Sequence, residues 1–389
     1  MPVPAPTLAG MRLLHTSDWH VGRTFHGRDL LAEQESVLGA LADLVVDERV
    51  DVVLVAGDLF DRAVPNAEAV AVCARVLERI RAAGARVVIT PGNHDSAARL
   101  GLFGGFAAAG GLHLRTRIAA LHEPVLFADA HGPVAVYGIP FLEPETARHA
   151  LGVEGRGHAA VLTEAMRRVG ADRAARGGRA VVLAHAFVTG GEPCESERTI
   201  AVGGVQDVPG AVFDGVDYVA LGHLHGRQVL AEHLRYSGSP VAYSFSEARH
   251  SKSVWLAELD AGGLAGVEHR ALPVPRRLST LSGELERLLA APEHRPVEEH
   301  FLSVVLTDRV RPLDALRRLQ VRFPHAVHVE WRPEGGRTGE LRFAERVRGR
   351  TDEEVACCFL EDVRGSLPAE RELGLLREAL ATAAREGDS

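Results

Sequence analysis

The chain has 389 residues, 44 basic and 52 acidic side chains, a net charge of −8 and 46% hydrophobic residues. That apolar fraction excludes an intrinsically disordered protein, and the length predicts two or three domains. No apolar run reaches the ~20 residues of a membrane-spanning helix, and the acidic balance argues against gripping nucleic acid by bulk charge alone.

The opening MPVPAPTLAG (residues 1–10) has neither a basic patch nor an apolar core. It reads as a flexible tail rather than a signal peptide, with Met11 as an alternative start. A strand is predicted at 11–15. A helix is predicted over 29–48, with Leu30, Leu31, Val37, Leu38, Leu41, Leu44 and Val45 on one stripe. Residues 51–56 (DVVLVA) form a buried-strand run. A second helix follows over 66–83, with Asn66 as its N-cap and Val70, Cys73, Val76, Leu77 and Ile80 facing inward. The next strand is 86–90, and this alternation means βαβ units on a parallel sheet.

Later strands are predicted at 134–139, 180–185, 217–221, 234–237 and 253–259, with less helix between them, which adds a second or mixed sheet. Segments 152–157 and 170–179 are rich in Gly and Arg and are expected in or beside loops. Pro273 and Pro275 mark a domain boundary. Beyond it, 276–290 and 312–322 read as helices and 300–306 and 326–331 as strands, a small α+β module. Thr351 and Glu354 form a capping box for a helix through Val355, Phe359 and Val363. A last amphipathic helix, 368–385, carries Leu373, Leu376, Leu380 and Ala383 on one stripe, which must dock on its own domain or on a partner.

Cys73, Cys194, Cys357 and Cys358 form no CxxC pair and read as reduced thiols of a cytoplasmic protein. Lys252 is the only lysine among the basic residues, which looks like codon bias toward arginine and makes the arginine excess weak evidence for a phosphate-binding surface.

Five short motifs fall at or just after predicted strand ends: Asp18-Trp19-His20, Gly57-Asp58-Leu59-Phe60-Asp61, Gly92-Asn93-His94-Asp95, His185 after VVLA, and Gly222-His223-Leu224-His225. Carboxyl ends of strands in a wound sheet converge on one crevice, which gathers Asp18, His20, Asp58, Asn93, His185, His223 and His225. Carboxylate, amide and imidazole donors without thiolate suit Mn or Fe and also fit Zn. Seven ligands are too many for one ion that keeps a position open for water, and about right for two ions sharing a carboxylate. Such a pair clamps the oxygens of a phosphoryl displacement. Taken singly the motifs have bland explanations: a lone histidine at a strand end is more often a satisfied core residue, and GDLFD or GNHD alone could be a capping turn. Five in order outweigh them. His26, His122 and His325 carry no pattern.

This order of motifs resembles the calcineurin-like metallophosphoesterases. More narrowly, 15–22 (HTSDWHVG), 57–61 (GDLFD) and 236–247 (YSGSPVAYSFSE) resemble the SbcD family of bacterial DNA-repair nuclease subunits, and the likeness continues through Phe323-Pro324-His325 and Asp362-Val363-Arg364-Gly365. The resemblance implies a sandwich of two mixed β-sheets flanked by helices over 11–272, a capping module over 276–349 at the DNA cleft, and C-terminal helices over 350–389 that grip a partner. It implies two ions, Mn(II) by preference: one on Asp18, His20, Asp58 and His225, the other on Asp58, Asn93, His185 and His223, with Asp58 bridging. His94 would contact the scissile phosphate and serve the leaving oxygen as a general acid. Asp61 would orient His94, or else is simply a charge before the helix at 66–83.

The family's substrate is DNA. Its members form homodimers and pair with SbcC, a coiled-coil ATPase, in nucleases that act in repair, replication and recombination, so the expected location is cytoplasmic and nucleoid-associated. Partner and metals together would offset the acidic charge. The implied activity is Mn-dependent 3′–5′ exonuclease and single-strand or hairpin endonuclease. One competing reading is a phosphodiesterase of the same fold acting on a small molecule or phosphoprotein. The other is a non-catalytic scaffold, which predicts substitutions among the seven ligands, and none is present. Candidates for the dimer contact are the helix at 66–83 and the apolar stretch 99–112, although core packing accounts for either.

Overall fold

The structure, a computed structural model, describes residues 10–200, 207–333, 349–364 and 366–387. Residues 1–9 of the expected tail and Gly365 lie outside it, as do the side chains of Asp362, Val363, Arg364 and Ala383. The chain forms two compact units, Met1–Pro275 and Arg276–Ser389.

The first unit is built on two six-stranded sheets. In the first, Leu112–Leu114, Arg86–Thr90, Val52–Ala56 and Met11–Thr16 run parallel, and Ser253–Asp260 and Gly263–Ala271 extend the edge antiparallel. In the second, Leu234–Tyr236, Tyr218–Gly222, Arg179–His185 and Gly132–Gly138 run parallel between two antiparallel edge strands, Gln228–Val229 and Val125–Asp129. Both sheets are mixed.

The central strands read as unbroken apolar runs because both faces are covered. In the first sheet Leu13, Val52, Leu54 and Val88 face Val181, Leu183, Tyr218 and Ala220 of the second. Their neighbours Leu14, Val53, Val55 and Val87 face the opposite way, onto Val37, Leu41, Val72 and Val76 of helices Leu31–Asp47 and Ala67–Ala82. The second sheet buries Tyr137, Val182 and Val219 against Val161, Ala165 and Val169 of helix His158–Arg176. The layers are therefore helix, sheet, sheet, helix. Polar bridges cross the central layer, among them His15, which donates from Nε2 to the Leu221 carbonyl at 3.0 Å and accepts at Nδ1 from the Tyr218 hydroxyl at 2.9 Å.

Asn66 caps its helix by accepting from the Ala69 N–H at 2.7 Å. The expectation of a loop over 170–179 is corrected: 170–176 is the last part of helix His158–Arg176, since Ala and Arg are strong helix formers, and only Gly177 and Gly178 end it.

The second unit has a parallel three-stranded sheet, Leu278–Gly283, Phe301–Leu306 and Ala326–Trp331, with helices Leu285–Ala290 and Ala315–Arg322 in its crossovers. Leu285, Leu288, Leu302, Val304, Leu319 and Phe323 form its core. The helix expected over 276–290 is a strand followed by a short helix. Leu278, Leu281, Leu285 and Leu288 recur at helical spacing, but Gly283 breaks the run and the first two belong to the sheet. Helices Asp352–Arg364 and Glu370–Gly387 complete the unit, joined by an Arg377–Glu353 ion pair. The capping box forms, with the Thr351 N–H donating to the Glu354 carboxylate at 2.8 Å and the Glu354 N–H to Thr351 Oγ1 at 3.4 Å. Among the described residues no helix is long and apolar enough to cross a membrane.

Candidate metal centre

Every motif leaves the carboxyl end of a parallel strand. Met11–Thr16 leads to Asp18 and His20, Val52–Ala56 to Asp58, and Arg86–Thr90 to Asn93 and His94. Those three strands belong to one sheet. The other supplies His185 as its own last residue and leads from Tyr218–Gly222 to His223 and His225. The crevice is thus formed between two sheets rather than within one.

The loops that carry these residues are sharply bent. Asp18, His20, Asp58 and His223 all have positive φ, a conformation that non-glycine residues keep only when their surroundings impose it. The Asp18 and His20 N–H groups donate to the carbonyls of Gly57 and Asp58 at 3.0 and 2.9 Å, which locks the first two motifs together. Three motif glycines are required by close approach, Gly222 among them because a Cβ there would collide with the Ala56 carbonyl oxygen. A Cβ on Gly57, where φ is +88°, would lie 2.1 Å from His185 Nδ1, and one on Gly92 would lie 2.1 Å from Asp58 Oδ1.

Among the described residues three sets of ligating atoms lie within 4.8 Å of one another: Asp18, His20 and His225; Asp18, Asp58 and His185; and His20, Asp58 and His94. Asn93 joins them through Oδ1, 2.9 Å from His185 Nε2. The His223 ring lies edge-on to His185 with centroids 5.2 Å apart, and the main-chain N–H of His223 donates to both Asp18 oxygens at 3.1 Å.

Hydrogen bonding decides which nitrogens are bare. His185 Nδ1 faces the Ala56 carbonyl at 3.1 Å, which can only accept, so its Nε2 carries a lone pair. That lone pair points at the oxygen of Asn93, another acceptor. His20 Nε2 and His225 Nε2 also face each other, at 3.1 Å. The amide nitrogen of Asn93 is buried and makes no hydrogen bond. His185 Nε2 and Asn93 Oδ1, two acceptors that converge with no proton between them, suit a cation there.

The electrostatics agree. Burial raises the carboxyl of Asp18, which Asp58 raises further, and burial also raises Asp58. Burial lowers His20, His94 and His223, and brings His185 down to about 4. Desolvated acids and imidazoles drift to their neutral forms when nothing offsets the lost hydration, and a bound divalent ion is the charge that reverses this for the acids.

His94 is fixed by main chain. Its N–H donates to Asp58 Oδ1 at 2.8 Å and its Nδ1 to the Asp61 carbonyl at 2.8 Å. The Asp61 carboxylate is farther, 3.9 Å from His94 Nδ1, and equally serves His20 Nδ1 and Arg23 Nε at 3.7 Å.

Sequence reasoning missed the residues that hold this centre from behind. Asp95 accepts from the N–H groups of Leu59, Phe60 and Gly92, each at 3.0 Å, and clamps two motifs together. Its carboxyl is pushed up to about 6 by burial and by Asp58. Gln34 donates to the His20 carbonyl at 2.8 Å and the Tyr243 hydroxyl at 2.9 Å, and accepts from the Gly22 N–H at 2.9 Å. Ser196, Glu197, Glu247 and Lys252 surround His225. The available signal for Lys252 was its solitude: a chain that uses arginine everywhere else keeps one lysine, and it is buried.

Residues 11–227 match the model of the calcineurin-like phosphoesterases, and residues 274–364 match a domain described as the type 5 capsule protein repressor C-terminal domain (SbcD_C). The SbcD subunit of the SbcCD nuclease from Escherichia coli strain K12 is 33% identical over 327 residues, covering 80% of this chain and 81% of that protein. The chain belongs to the calcineurin-like phosphoesterases and, within them, to the SbcD family. The SbcD protein from E. coli O157:H7 matches to the same extent. Among solved structures, calcineurin-like phosphoesterase YfkN from Bacillus subtilis aligns at 14% identity with a TM-score of 0.41, over 69% of this chain and 93% of that one. The chain is a hydrolase of phosphodiester bonds whose clustered carboxylates and imidazoles suit divalent metals.

Proposed function

We propose that this chain is the catalytic subunit of an SbcC–SbcD-type complex, a Mn-dependent nuclease that acts on double-strand DNA ends from 3′ to 5′ and on single-strand or hairpin DNA as an endonuclease. One ion would be held by Asp18, His20, Asp58 and His225, the other by Asp58, Asn93, His185 and His223. The observation that carries the reading is the convergence of buried carboxylates and imidazoles from both sheets, with a bare His185 Nε2 facing Asn93 Oδ1, in a chain of the SbcD family. Bound divalent ions supply charge stabilisation at the phosphoryl group and activate water.

The chain's own residues do the rest. His94 donates a hydrogen bond from Nδ1–H to the Asp61 carbonyl, which leaves Nε2 as the atom that meets the phosphate. In the imidazolium form it carries a second proton there, which would pass to the leaving oxygen and return the ring to neutral. Asp58 holds the His94 main chain and takes part in both ion sites. Asp61 sets the ring of His94 through its carbonyl and faces His20 through its carboxylate.

In this reading 276–349 caps the DNA cleft and 350–389 grips the base of an SbcC-type coiled coil, in a heterotetramer located at the nucleoid. A homodimer is supported by an apolar cluster of Leu102, Phe103 and Phe106, exposed by 69, 66 and 84% in the stretch 99–112. The test is cleavage of a labelled DNA hairpin and of bis-p-nitrophenyl phosphate in Mn or Mg, with and without an SbcC-type partner and ATP. Hairpin cutting that requires Mn and rises with the partner supports the proposal. Turnover of the small ester alone, with DNA untouched in all conditions, assigns the site to a small substrate.

A further inference from the structure

We infer that Lys252, Glu247 and Ser196 form a positioning relay that fixes the proton of His225 on Nδ1 and so presents a bare Nε2 to the metal centre. The inference rests on the proposal that His225 is a metal ligand. All four side chains are buried, His225 and Glu247 at 1%, Lys252 at 5% and Ser196 at 8% exposure.

The direction of each hydrogen bond follows from what its partners can do. The Lys252 ammonium has three protons and meets three acceptors: the Glu247 carboxylate at Oε2, Ser239 Oγ at 2.9 Å and the His225 carbonyl at 3.0 Å. Ser239 spends its own proton on the Val241 carbonyl at 2.8 Å, so it accepts from the lysine. Glu247, kept ionised by the ammonium, accepts at Oε1 from the Tyr243 N–H at 3.0 Å and from the Ser196 hydroxyl at 2.5 Å. Ser196 has then used its one proton and faces His225 Nδ1, at 2.7 Å, only as an acceptor. His225 must donate from Nδ1, and its lone pair lies on Nε2, which points at His20 Nε2. The Glu197 carboxylate takes the His225 N–H at 2.7 Å, so the backbone and ring of this residue are held together.

The same geometry accounts for the only lysine in the chain. Its three acceptors surround a single nitrogen, a task for a tetrahedral ammonium. A guanidinium spreads its donors over a planar fork and cannot aim three of them at one point. Outer partners of this kind orient a ligand and typically change metal affinity by ~10–100-fold.

The test is Mn(II) titration of the full-length chain, followed by calorimetry and by electron paramagnetic resonance of free Mn(II). The proteins are the wild type, His225→Ala, Ser196→Ala, Ser196→Thr, Lys252→Met and Lys252→Arg. His225→Ala is expected to lose one of two ions. Ser196→Ala and Lys252→Met should each bind that ion ~10–100-fold more weakly and keep the other at wild-type affinity. Ser196→Thr, which keeps the hydroxyl, restores binding. Lys252→Arg, which keeps the charge, does not. Thermal melting checks that each variant is folded, and Ser196→Ala decides the matter if Lys252→Met is not, because it leaves the ion pair intact. Wild-type affinity for both ions in folded Ser196→Ala, alongside loss of one ion in His225→Ala, overturns the relay and leaves the metal assignment standing. Wild-type binding in His225→Ala overturns both.

Discussion

His20 and His225 bring their Nε2 atoms to 3.1 Å from each other although they leave strands of different sheets. Neither sheet alone contains the centre. The inter-sheet packing of Leu13, Leu54, Leu183 and Ala220 therefore does more than stabilise the fold, because it sets the spacing on which the centre depends. Rigid elements hold such sites more precisely than loops do, and here the loops are short, bent and tied to strand ends.

His94 lies close enough to His20 and Asp58 to act as a ligand, yet its proposed role is at the leaving group. For His94→Ala we predict that kcat on a phosphodiester falls ~10²–10⁴-fold, the usual worth of a positioned proton donor. Mn(II) affinity should stay within about threefold of wild type. Steady-state kinetics and metal titration on the same preparation separate the two roles, since a ligand would lose affinity as well as rate.

His15 predicts a pH effect on stability. Its burial between the sheets brings its pKa down to about 3, so it is neutral in the folded state while the unfolded chain protonates it near the usual value. The folded pKa is depressed. This contribution is therefore complete above pH ~6.5 and is lost as the pH falls toward about 3, by up to about 1.4 kcal/mol per pH unit. Urea unfolding at pH 7 and pH 4.5 should show a smaller acid-induced drop for His15→Gln than for wild type. The other buried histidines remain in both proteins and cancel in that comparison.

The apolar cluster at Leu102, Phe103 and Phe106 predicts the assembly state. A charge in a buried homodimer contact is costly, so Phe106→Glu should sediment as a monomer of 41.7 kDa under conditions where wild type sediments at twice that mass. Analytical ultracentrifugation over a concentration series checks this. Because Phe106 is exposed in the single chain, Phe106→Glu should leave thermal stability of the monomer nearly unchanged.

The metal-ligand candidates were legible because chemistry restricts them to a few residue types that recur just after apolar strand runs. The central strands were legible for the same reason, as buried parallel strands read as continuous Val and Leu. What stayed hidden was periodicity shared by two structures. Leu278, Leu281, Leu285 and Leu288 have helical spacing but divide between a strand and a helix. The Ala- and Arg-rich run before Gly177 looked like a loop and is helical. Ser196, Glu247 and Lys252 were hidden differently. Each is an ordinary residue alone, and they meet at His225 only once the chain has folded.

Asp58 is the residue assigned to both ions, so Asp58→Asn tests the two-ion centre most directly. Mn(II) titration of the wild type should give two ions per chain. Asp58→Asn should bind both more weakly and hydrolyse a DNA hairpin at least ~100-fold more slowly, because metal stabilisation of the phosphoryl charge supplies several kcal/mol. One ion per wild-type chain, or two ions bound by Asp58→Asn at undiminished affinity, would contradict this assignment.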